Sequence, residues 1–194
     1  MNSAKAELRT HVNATLRALS SEDISRRSSE IHKRLFATTF WREAKSIYCF
    51  VSLSREVQTA EIRSTSLSHG KMLALPRVVG DELQFHVVGR DDQPLERSSL
   101  GIYEPPQELP HAEPSEHAPV LVVVPGIAFD PSCYRLGRGR GYYDRFLGRY
   151  RSSLFALGVC FEEQLVEAVP RDDRDVRLDA VLTEQRVLYR RRFS

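Results

Sequence analysis

The sequence predicts an α/β fold: a single three-layer domain in which a mainly parallel sheet carries helices on both faces, as in Rossmann-like proteins. The chain has 194 residues, and roughly 100–200 residues are typical of one domain. Hydrophobic residues make up 41% and charged residues 28%, which is typical of soluble globular proteins. Short apolar runs alternate with helical periodicity, a pattern that favours parallel strands covered by helices. We therefore expect residues 1–194 to form one domain.

The first half of the chain alternates helices and strands. Apolar residues recur at helical spacing twice near the N-terminus, and Ser20 precedes the second of these segments as a candidate N-cap. The turn signal Gly80-Asp81 predicts that the strand after it is an antiparallel addition at the sheet edge. The elements expected, in order, are helices over residues 4–19 and 21–36, a strand over 47–53, a helix over 59–68, and strands over 72–75 and 83–87.

The second half begins with a proline-rich connection. Eight of the ten prolines lie within residues 94–131, which excludes a continuous helix there. Four glutamates of this connection indicate a solvated acidic loop or a lid: Glu104, Glu108, Glu113 and Glu116. The elements expected from there on are a strand over 121–124, a helix over 141–151, a strand over 154–159, a short helix over 162–168 and a strand over 180–182.

The charge of the chain is small overall and concentrated locally. Lys and Arg number 28 against 26 Asp and Glu, a net charge of +2, which argues against a protein that coats nucleic acid with its whole surface. Residues 135–151 nevertheless contain six arginines and one aspartate, a local charge of +5. We therefore expect a local anion-binding site and no nucleic-acid partner.

Neither a membrane segment nor a disulfide framework is indicated. The longest apolar run, residues 120–124, is far shorter than the roughly 20 residues that span a bilayer, and residues 1–17 lack the apolar core of a signal peptide. Cys49, Cys133 and Cys160 are far apart and match no metal-ligand spacing. The sequence predicts a cytoplasmic monomer with three reduced thiols and no membrane partner.

The segment after the strand at residues 121–124 has the composition of a phosphate-binding loop. Alternating glycines let backbone N–H groups converge on an anion, and the helix that follows would add its positive dipole end. Arginines supply fork-shaped donors suited to phosphate oxygens. The residues concerned are Arg135, Gly137, Arg138, Gly139, Arg140 and Gly141. Their spacing matches neither the Walker A pattern nor the dinucleotide fingerprint.

Asp144 lies just inside the helix that follows this loop. A carboxylate in a cationic region could hold Mg²⁺ against phosphate oxygens, because Mg²⁺ favours one or two carboxylates together with phosphates and waters. An acidic residue in the first turn of a helix also interacts favourably with the helix dipole without any metal. The residues by themselves leave both interpretations open.

The whole segment resembles the signature of the 5-formyltetrahydrofolate cyclo-ligase family, also called 5,10-methenyltetrahydrofolate synthetases. The resemblance rests on PGIAFD at residues 125–130 and RLGRGRGYYD at residues 135–144. It extends to KAELR at residues 5–9, to residues 52–59, to GIYEP at residues 101–105 and to residues 175–183. It implies ATP-dependent cyclisation of 5-formyltetrahydrofolate to 5,10-methenyltetrahydrofolate, with Mg²⁺ as cofactor and a reduced folate and ATP as small-molecule substrates.

The resemblance also assigns roles to individual residues. Arg138, Arg140 and Tyr143 are the expected catalytic residues, and Asp144 and Asp175 the expected Mg²⁺ ligands. The folate would lie against Val51, Leu53, Glu56 and Tyr142, with Glu56 accepting hydrogen bonds from the pterin. The residues expected to bind ATP are Lys5, Arg9, Arg135, Leu136, Gly137, Arg138, Gly139, Arg140, Gly141, Tyr142 and Tyr143.

Two positions depart from the family pattern. Cys133 stands where the family usually has glycine, so either the local backbone differs or this loop tolerates a side chain at a positive φ. Arg174 stands where histidine commonly precedes the aspartate at the position of Asp175. Because of these departures, a non-catalytic homologue that binds folate or nucleotide is the alternative. A small RNA-binding protein that uses the Arg/Gly loop and residues 190–192 is a third interpretation.

Overall fold

The computed structural model describes residues 2–90, 93–98 and 101–190. The helices are α1 (Asn2–Arg17), α2 (Ser21–Phe36), α3 (Thr39–Glu43), α4 (Ala60–Ser68) and α5 (Tyr142–Arg149), with a 3₁₀ turn at Glu162–Gln164. The strands are β1 (Ser46–Cys49), β2 (Met72–Val79), β3 (Glu82–Val88), β4 (Glu96–Arg97), β5 (Tyr103–Glu104), β6 (His111–Ala112), β7 (Val120–Val124), β8 (Ala128–Phe129), β9 (Arg135–Leu136), β10 (Phe155–Val159), β11 (Ala180–Leu182) and β12 (Val187–Tyr189).

Eight strands form the central sheet, in the order β12-β11-β10-β7-β1-β2-β3-β6. The five strands from β11 to β2 are parallel, whereas β12, β3 and β6 are antiparallel to their neighbours. Numbered along the chain, the parallel strands have the order 2-1-3-4-5, one of the two common orders of doubly wound α/β folds. The predicted mainly parallel, Rossmann-like sheet is confirmed.

Helices cover both faces of the sheet, as predicted. Side chains alternate along the central strands, so that Ile47 and Cys49 of β1 face one apolar cluster and Tyr48 faces the other. Helices α1 to α4 contribute buried residues to the first cluster, among them Val12, Ile31, Trp41 and Ile62. Helix α5 contributes Phe146 and Leu147 to the second. The three layers therefore share two apolar clusters separated by the sheet.

Local sequence signals account for the first helices. The Ser20 side chain accepts a hydrogen bond from the backbone N–H of Asp23 at 3.0 Å and caps α2, as predicted. The α2 face that carries Ile24, Ile31 and Leu35 is buried. The bounds of α2 are those expected from periodicity, and the hairpin at Gly80-Asp81 joins β2 to β3 as expected.

Other expectations were wrong in detail. Strand β3 is not at the edge of the sheet, because the two-residue strand β6 pairs with its outer side. The helix expected over residues 162–168 is only the 3₁₀ turn at Glu162–Gln164, and β12 was not predicted. Glu104 is not solvated: it is 4% exposed, accepts a hydrogen bond from Val78 N at 3.3 Å, and has its pKa raised by burial. The other three glutamates of the connection are exposed.

Two further observations bear on the classes of protein considered above. Within the described ranges, none of the helices combines the length and apolar character needed to cross a bilayer. All three cysteines are buried and free, as expected. Arg191 and Arg192, which the RNA-binding interpretation uses, lie outside the described residues.

Candidate active site

The order of the parallel strands identifies one edge of the sheet as the place for a ligand. From β1 the chain crosses through α4 to β2 on one side, whereas β7 lies on the other side of β1 and is followed by β10. Doubly wound sheets bind ligands where the strand order reverses, outside the carboxyl ends of the strands. By this rule we expect the crevice between segment 50–59, which follows β1, and segment 125–141, which follows β7.

The PGIAFD segment is a rigid base for the loop that follows it. The Phe129 ring lies so close to Gly126 and Gly158 that a Cβ on either glycine would come within 2.6 Å and 2.5 Å of ring carbons. The buried Asp130 carboxylate accepts backbone hydrogen bonds from Tyr134 and Val169, both at 3.0 Å. Residues 126–134 are therefore fixed by packing and by a fully buried acceptor.

Cys133 is the one non-glycine residue with a positive φ in the part of the chain that the structure describes, at 66°. Its side chain is fully buried, and burial raises the pKa of its thiol to about 11. Of the two possibilities raised by the sequence, the structure supports the second: the loop tolerates a side chain where φ is positive.

A β-branched side chain at this position should be poorly tolerated. We expect Cys133→Val to lower the free energy of unfolding by about 2 kcal/mol or more, because β-branched residues are outliers at positive φ and overpacking adds to that strain. Cys160→Val is the matched control, since Cys160 is equally buried but is not among the positive-φ residues. Urea unfolding followed by circular dichroism measures both, and equal losses would mean that backbone strain at Cys133 is unimportant.

Arg135 is buried beneath the glycine-rich loop. Its side chain is 4% exposed, and its Nη2 lies 3.0 Å from Asp144 Oδ2 as an ion pair without hydrogen-bond geometry. A Cβ on Gly137 would lie 2.7 Å from Nη1, so a side chain there would require the guanidinium to shift. Neither Nε nor Nη2 has a hydrogen-bond partner within the described residues. Buried donors left unpaired in this way are suited to oxygens of a bound anion.

The rest of the loop is open to solvent and anchored to α1. Gly139 and Gly141 have φ values of +100° and +69°, which glycine adopts without strain. Arg9 Nε donates to the carbonyl oxygen of Gly137 at 2.9 Å and so ties α1 to the loop. Arg138 and Arg140 are exposed on either side of Gly139. Of these two guanidinium groups, that of Arg138 reaches Glu56 of segment 50–59.

Lys5 of α1 is held by two carboxylates that follow the 3₁₀ turn. Its Nζ lies 2.6 Å from Asp175 Oδ2 and 3.0 Å from Asp172 Oδ2. Burial acts to lower the pKa of Lys5, but the hydrogen bonds to Asp175 and Asp172 outweigh it and raise the pKa. The hydrogen bond from Lys5, together with one from the backbone N–H of Arg174, lowers the pKa of Asp172 to about 2. Lys5 is therefore an ammonium and Asp172 a carboxylate at neutral pH.

The two tyrosines of the motif occupy different environments. The Tyr143 ring lies 5.5 Å from the Arg135 guanidinium, and its hydroxyl is buried without a hydrogen-bond partner among the described residues. Burial raises the pKa of Tyr143, so its hydroxyl stays protonated at neutral pH. Tyr142 is half-buried, with the Arg145 guanidinium 5.3 Å from its ring.

Segment 50–59 forms the opposite wall of the crevice. Val51 and Leu53 are partly exposed, and Val51 packs against the larger apolar cluster. Glu56 Oε2 accepts a hydrogen bond from Leu53 N at 2.9 Å, and Glu56 Oε1 accepts one from Arg138 Nη2 at 2.8 Å. The structure therefore joins the residue expected at the pterin to a residue expected at the phosphates.

The expected site residues form two connected groups. The first group is joined by two hydrogen bonds, one from Arg9 to the carbonyl oxygen of Gly137 and one from the neighbouring Arg138 to Glu56. The second group contains Lys5 and its carboxylates. Asp144 adjoins it, because Asp144 Oδ1 accepts a hydrogen bond from Val176 N at 3.2 Å. Leu136 is buried, and its carbonyl accepts from Ile127 N at 2.7 Å. Leu136 thus anchors the loop through its backbone.

Sequence reasoning missed two residues that support the site. Asp172 shares Lys5 with Asp175, and the signal for it was the acidic run at residues 172–175. Gln164 is buried, and its amide donates to the carbonyl oxygens of Gly126 and Ile127 at 2.9 Å and 3.0 Å. Nothing in the sequence alone marks Gln164, because its partners are backbone groups 37 and 38 residues away.

The acidic residues fit a magnesium ion that is bound together with phosphates. No group of three His, Cys, Asp or Glu side chains suited to a metal occurs in the described ranges. Asp144 and Asp175 supply carboxylate oxygens from adjacent positions, each paired with a cation. Two carboxylates completed by phosphate oxygens and waters are the donor set that Mg²⁺ prefers.

Comparisons with known proteins agree on one family. A model of the 5-formyltetrahydrofolate cyclo-ligase family matches residues 1–184. The mouse 5-formyltetrahydrofolate cyclo-ligase is 31% identical over 95% of this chain and 95% of the mouse protein. A probable 5-formyltetrahydrofolate cyclo-ligase of Schizosaccharomyces pombe is 29% identical over 97% of this chain and 98% of its own. The NMR structure of Aquifex aeolicus 5,10-methenyltetrahydrofolate synthetase is 33% identical and covers 98% of this chain and 94% of that chain, with a TM-score of 0.84. The chain therefore belongs to the 5-formyltetrahydrofolate cyclo-ligase family, a family of ligases.

Proposed function

We propose that this protein catalyses the cyclisation of 5-formyltetrahydrofolate to 5,10-methenyltetrahydrofolate, with ATP converted to ADP and phosphate. Family membership over nearly the whole chain supports the reaction. The single observation that carries the assignment of the site is the hydrogen bond from Arg138 to Glu56 at 2.8 Å. It supports a site in which the candidate phosphate loop and the candidate folate segment lie next to each other.

The proposed chemistry needs activation of a poor electrophile. The formyl oxygen attacks the γ-phosphorus of ATP, the bond from that phosphorus to the bridging oxygen breaks, and ADP leaves. N10 then attacks the formyl carbon and releases its proton to water, the bond from that carbon to the phosphorylated oxygen breaks, and phosphate departs to leave the cyclic methenyl product. No protein nucleophile is required, so the work of the protein is positioning and the stabilisation of developing negative charge.

The residues of the site have distinct parts in this scheme. Arg135 lies beneath the loop with unpaired donors and would bind phosphate oxygens from below. Arg138 and Arg140 would approach the transferring group from the solvent side, where charge develops in the transition state. Lys5 and Arg9 would bind the nucleotide from α1, which adjoins the loop at Gly137.

Glu56 and the apolar side chains beside it would bind the pterin of the folate. Leu53 N holds the Glu56 carboxylate in place, and an ionised carboxylate accepts hydrogen bonds from the N–H groups of a pterin. Val51 and Leu53 would contact its ring. Tyr143 is protonated and therefore serves as a hydrogen-bond donor or as packing rather than as a base.

Asp144 and Asp175 would hold Mg²⁺, which when bound neutralises charge on the phosphate oxygens. Their present partners, Arg135 and Lys5, are also cations expected to bind phosphate. When nucleotide and metal bind, the phosphates would thus take the place of the carboxylates beside Arg135 and Lys5. The metal would take the place of these two cations beside Asp144 and Asp175. Binding the pair together would leave the charge of the site balanced.

A cyclisation assay tests the proposed function. Purified protein with Mg²⁺, ATP and 5-formyltetrahydrofolate should produce the near-ultraviolet absorbance of the methenyl product and one ADP per product. Omission of ATP should abolish product. Absence of both product and ADP would contradict the proposal, and tight binding of either ligand without turnover would identify a non-catalytic homologue.

Asp144→Asn should lower turnover by at least about tenfold, which corresponds to roughly 1.4 kcal/mol of barrier. The substitution keeps an oxygen for the N–H of Val176 but removes the charge that faces Arg135 and the proposed metal. The half-saturating Mg²⁺ concentration should rise as well. Asp173→Asn is the control, because Asp173 is an exposed acid beside the same group. An unchanged rate and Mg²⁺ dependence for Asp144→Asn would remove Asp144 from the metal site.

A further inference from the structure

Arg138 connects two loops that belong to different halves of the proposed reaction. It lies in the loop that follows β7, whereas its partner Glu56, 82 residues earlier, lies in the segment that follows β1. Arg138 Nη2 donates a hydrogen bond to Glu56 Oε1, and the N–H of Leu53 donates one to Glu56 Oε2. Both carboxylate oxygens of Glu56 therefore have partners within the protein.

The two members of this ion pair differ in how firmly they are held. The Glu56 side chain is 17% exposed, and Gln58 Nε2 fixes its segment by donating to the carbonyl oxygens of Leu53 and Glu56 at 3.0 Å and 2.8 Å. The Arg138 side chain is 58% exposed and is flanked by Gly137 and Gly139. Arg138 is accordingly the member that can change its position while Glu56 stays in place.

The other ion pairs of the site do not cross the crevice in this way. Arg135 is paired with Asp144, and Lys5 with Asp172 and Asp175, all on the nucleotide side of the proposed site. Only the Arg138 pair, among those of the proposed site residues, joins a phosphate-binding cation to the folate-binding carboxylate. Rearrangement of this one pair affects both subsites.

We propose that Arg138 couples the two substrates: without nucleotide it occupies Glu56, and when phosphates bind it moves to them and releases Glu56 for the folate. This inference rests on the proposed function. A guanidinium prefers a triphosphate, with more charge and more acceptors, to a single carboxylate, and an ion pair whose guanidinium is 58% exposed contributes little stability. Glu56 is then left partly buried with an unpaired oxygen, which makes N–H donors of a bound pterin more favourable.

The coupling has a direction that simple charge repulsion would not produce. Both substrates are anions, so their mutual repulsion should make each weaken the binding of the other. Release of Glu56 by Arg138 has the opposite effect, and nucleotide should strengthen folate binding by about fivefold or more, the lower end of typical couplings. By linkage, folate strengthens nucleotide binding by the same factor.

Isothermal titration calorimetry with 5-formyltetrahydrofolate tests this, with and without the magnesium complex of β,γ-methylene-ATP, an analogue that cannot transfer its phosphate. In the wild type the analogue should tighten folate binding about fivefold or more. Arg138→Met should bind folate more tightly than the wild type in the absence of nucleotide, because Glu56 is already free. The analogue, tested at saturating concentration, should then have little further effect on folate binding.

Arg140→Met is the matched control, since it removes the same charge from the same loop, and Arg140 makes no ion pair with the described residues. It should not tighten folate binding in the absence of nucleotide. Weaker folate binding by Arg138→Met, or equal tightening by Arg140→Met, would overturn the inference. Turnover by the wild type in the cyclisation assay separates these outcomes from failure of the proposed function, because the proposed function predicts turnover whether or not the coupling exists.

Discussion

Arg138→Met should lower the rate of product formation at saturating substrates by about 100- to 1,000-fold, the usual loss when one preorganised donor to a transition state is removed. Arg138 is an exposed guanidinium between two glycines of the loop. In the proposed mechanism it would contact the phosphoryl group during transfer from ATP to the formyl oxygen. Rapid-quench measurement of ADP in a single turnover reports this step directly.

The same variant should not weaken folate binding, which separates this prediction from general damage to the site. Arg138→Lys keeps the charge but loses the planar fork, and we expect an intermediate rate because a lysine makes single hydrogen bonds to phosphate. A single-turnover rate for Arg138→Met within threefold of the wild type would show that Arg138 does not stabilise the transferring group.

Much of the fold could be predicted because its signals are local. Helix α2 has the predicted bounds because its N-cap and its buried face are both formed by residues 20–36. Strand β11 also begins and ends as expected, as a short apolar run buried on both sides. Strand β2 runs beyond the predicted residue 75 through Pro76. Its pairing with β1 ends at Ala74, so the missing N–H of Pro76 costs the sheet no hydrogen bond on that side.

The elements that were missed depend on distant partners. Helix α3 has five residues, too few for a periodic pattern, and is stabilised by the Thr38 cap on Trp41 N. Strands β6 and β12 have two and three residues and exist through pairing with β3 and β11. Glu104 was expected in solvent because its buried acceptor role depends on Val78 of another strand. Local patterns contain no information of this kind.

The site shows the same division. The loop was visible as glycines and arginines at fixed spacing. The departure at Cys133 left two possibilities open, and the structure supports the one in which a side chain is tolerated at positive φ. Which carboxylate faces which cation was not predictable. Arg135 and Asp144 are nine residues apart in the sequence, but their pairing depends on how the loop passes over the guanidinium. The pairing of Arg138 with Glu56 depends on the order of β1 and β7 in the sheet.

Arg135→Met should lower both stability and activity. The side chain is 4% exposed, and breaking a buried ion pair by removing one partner costs roughly 3–5 kcal/mol. Because the Asp144 side chain is 17% exposed and keeps its hydrogen bond from Val176 N, we expect a loss near the lower end, about 3 kcal/mol. Urea unfolding measures it, and turnover should fall at least about 100-fold, as for loss of a preorganised donor.

Adding Asp144→Leu to Arg135→Met separates the loss of stability from the loss of turnover. In Arg135→Met/Asp144→Leu both charges are gone, and replacing a buried ion pair by apolar side chains is often neutral for stability. The double variant should therefore recover about 2 kcal/mol of the stability lost by Arg135→Met, while its turnover stays as low or lower. Arg140→Met, an exposed change in the same loop, should alter stability by less than about 0.5 kcal/mol. Recovery of turnover together with stability would mean that Arg135 supports the fold and does not bind phosphate.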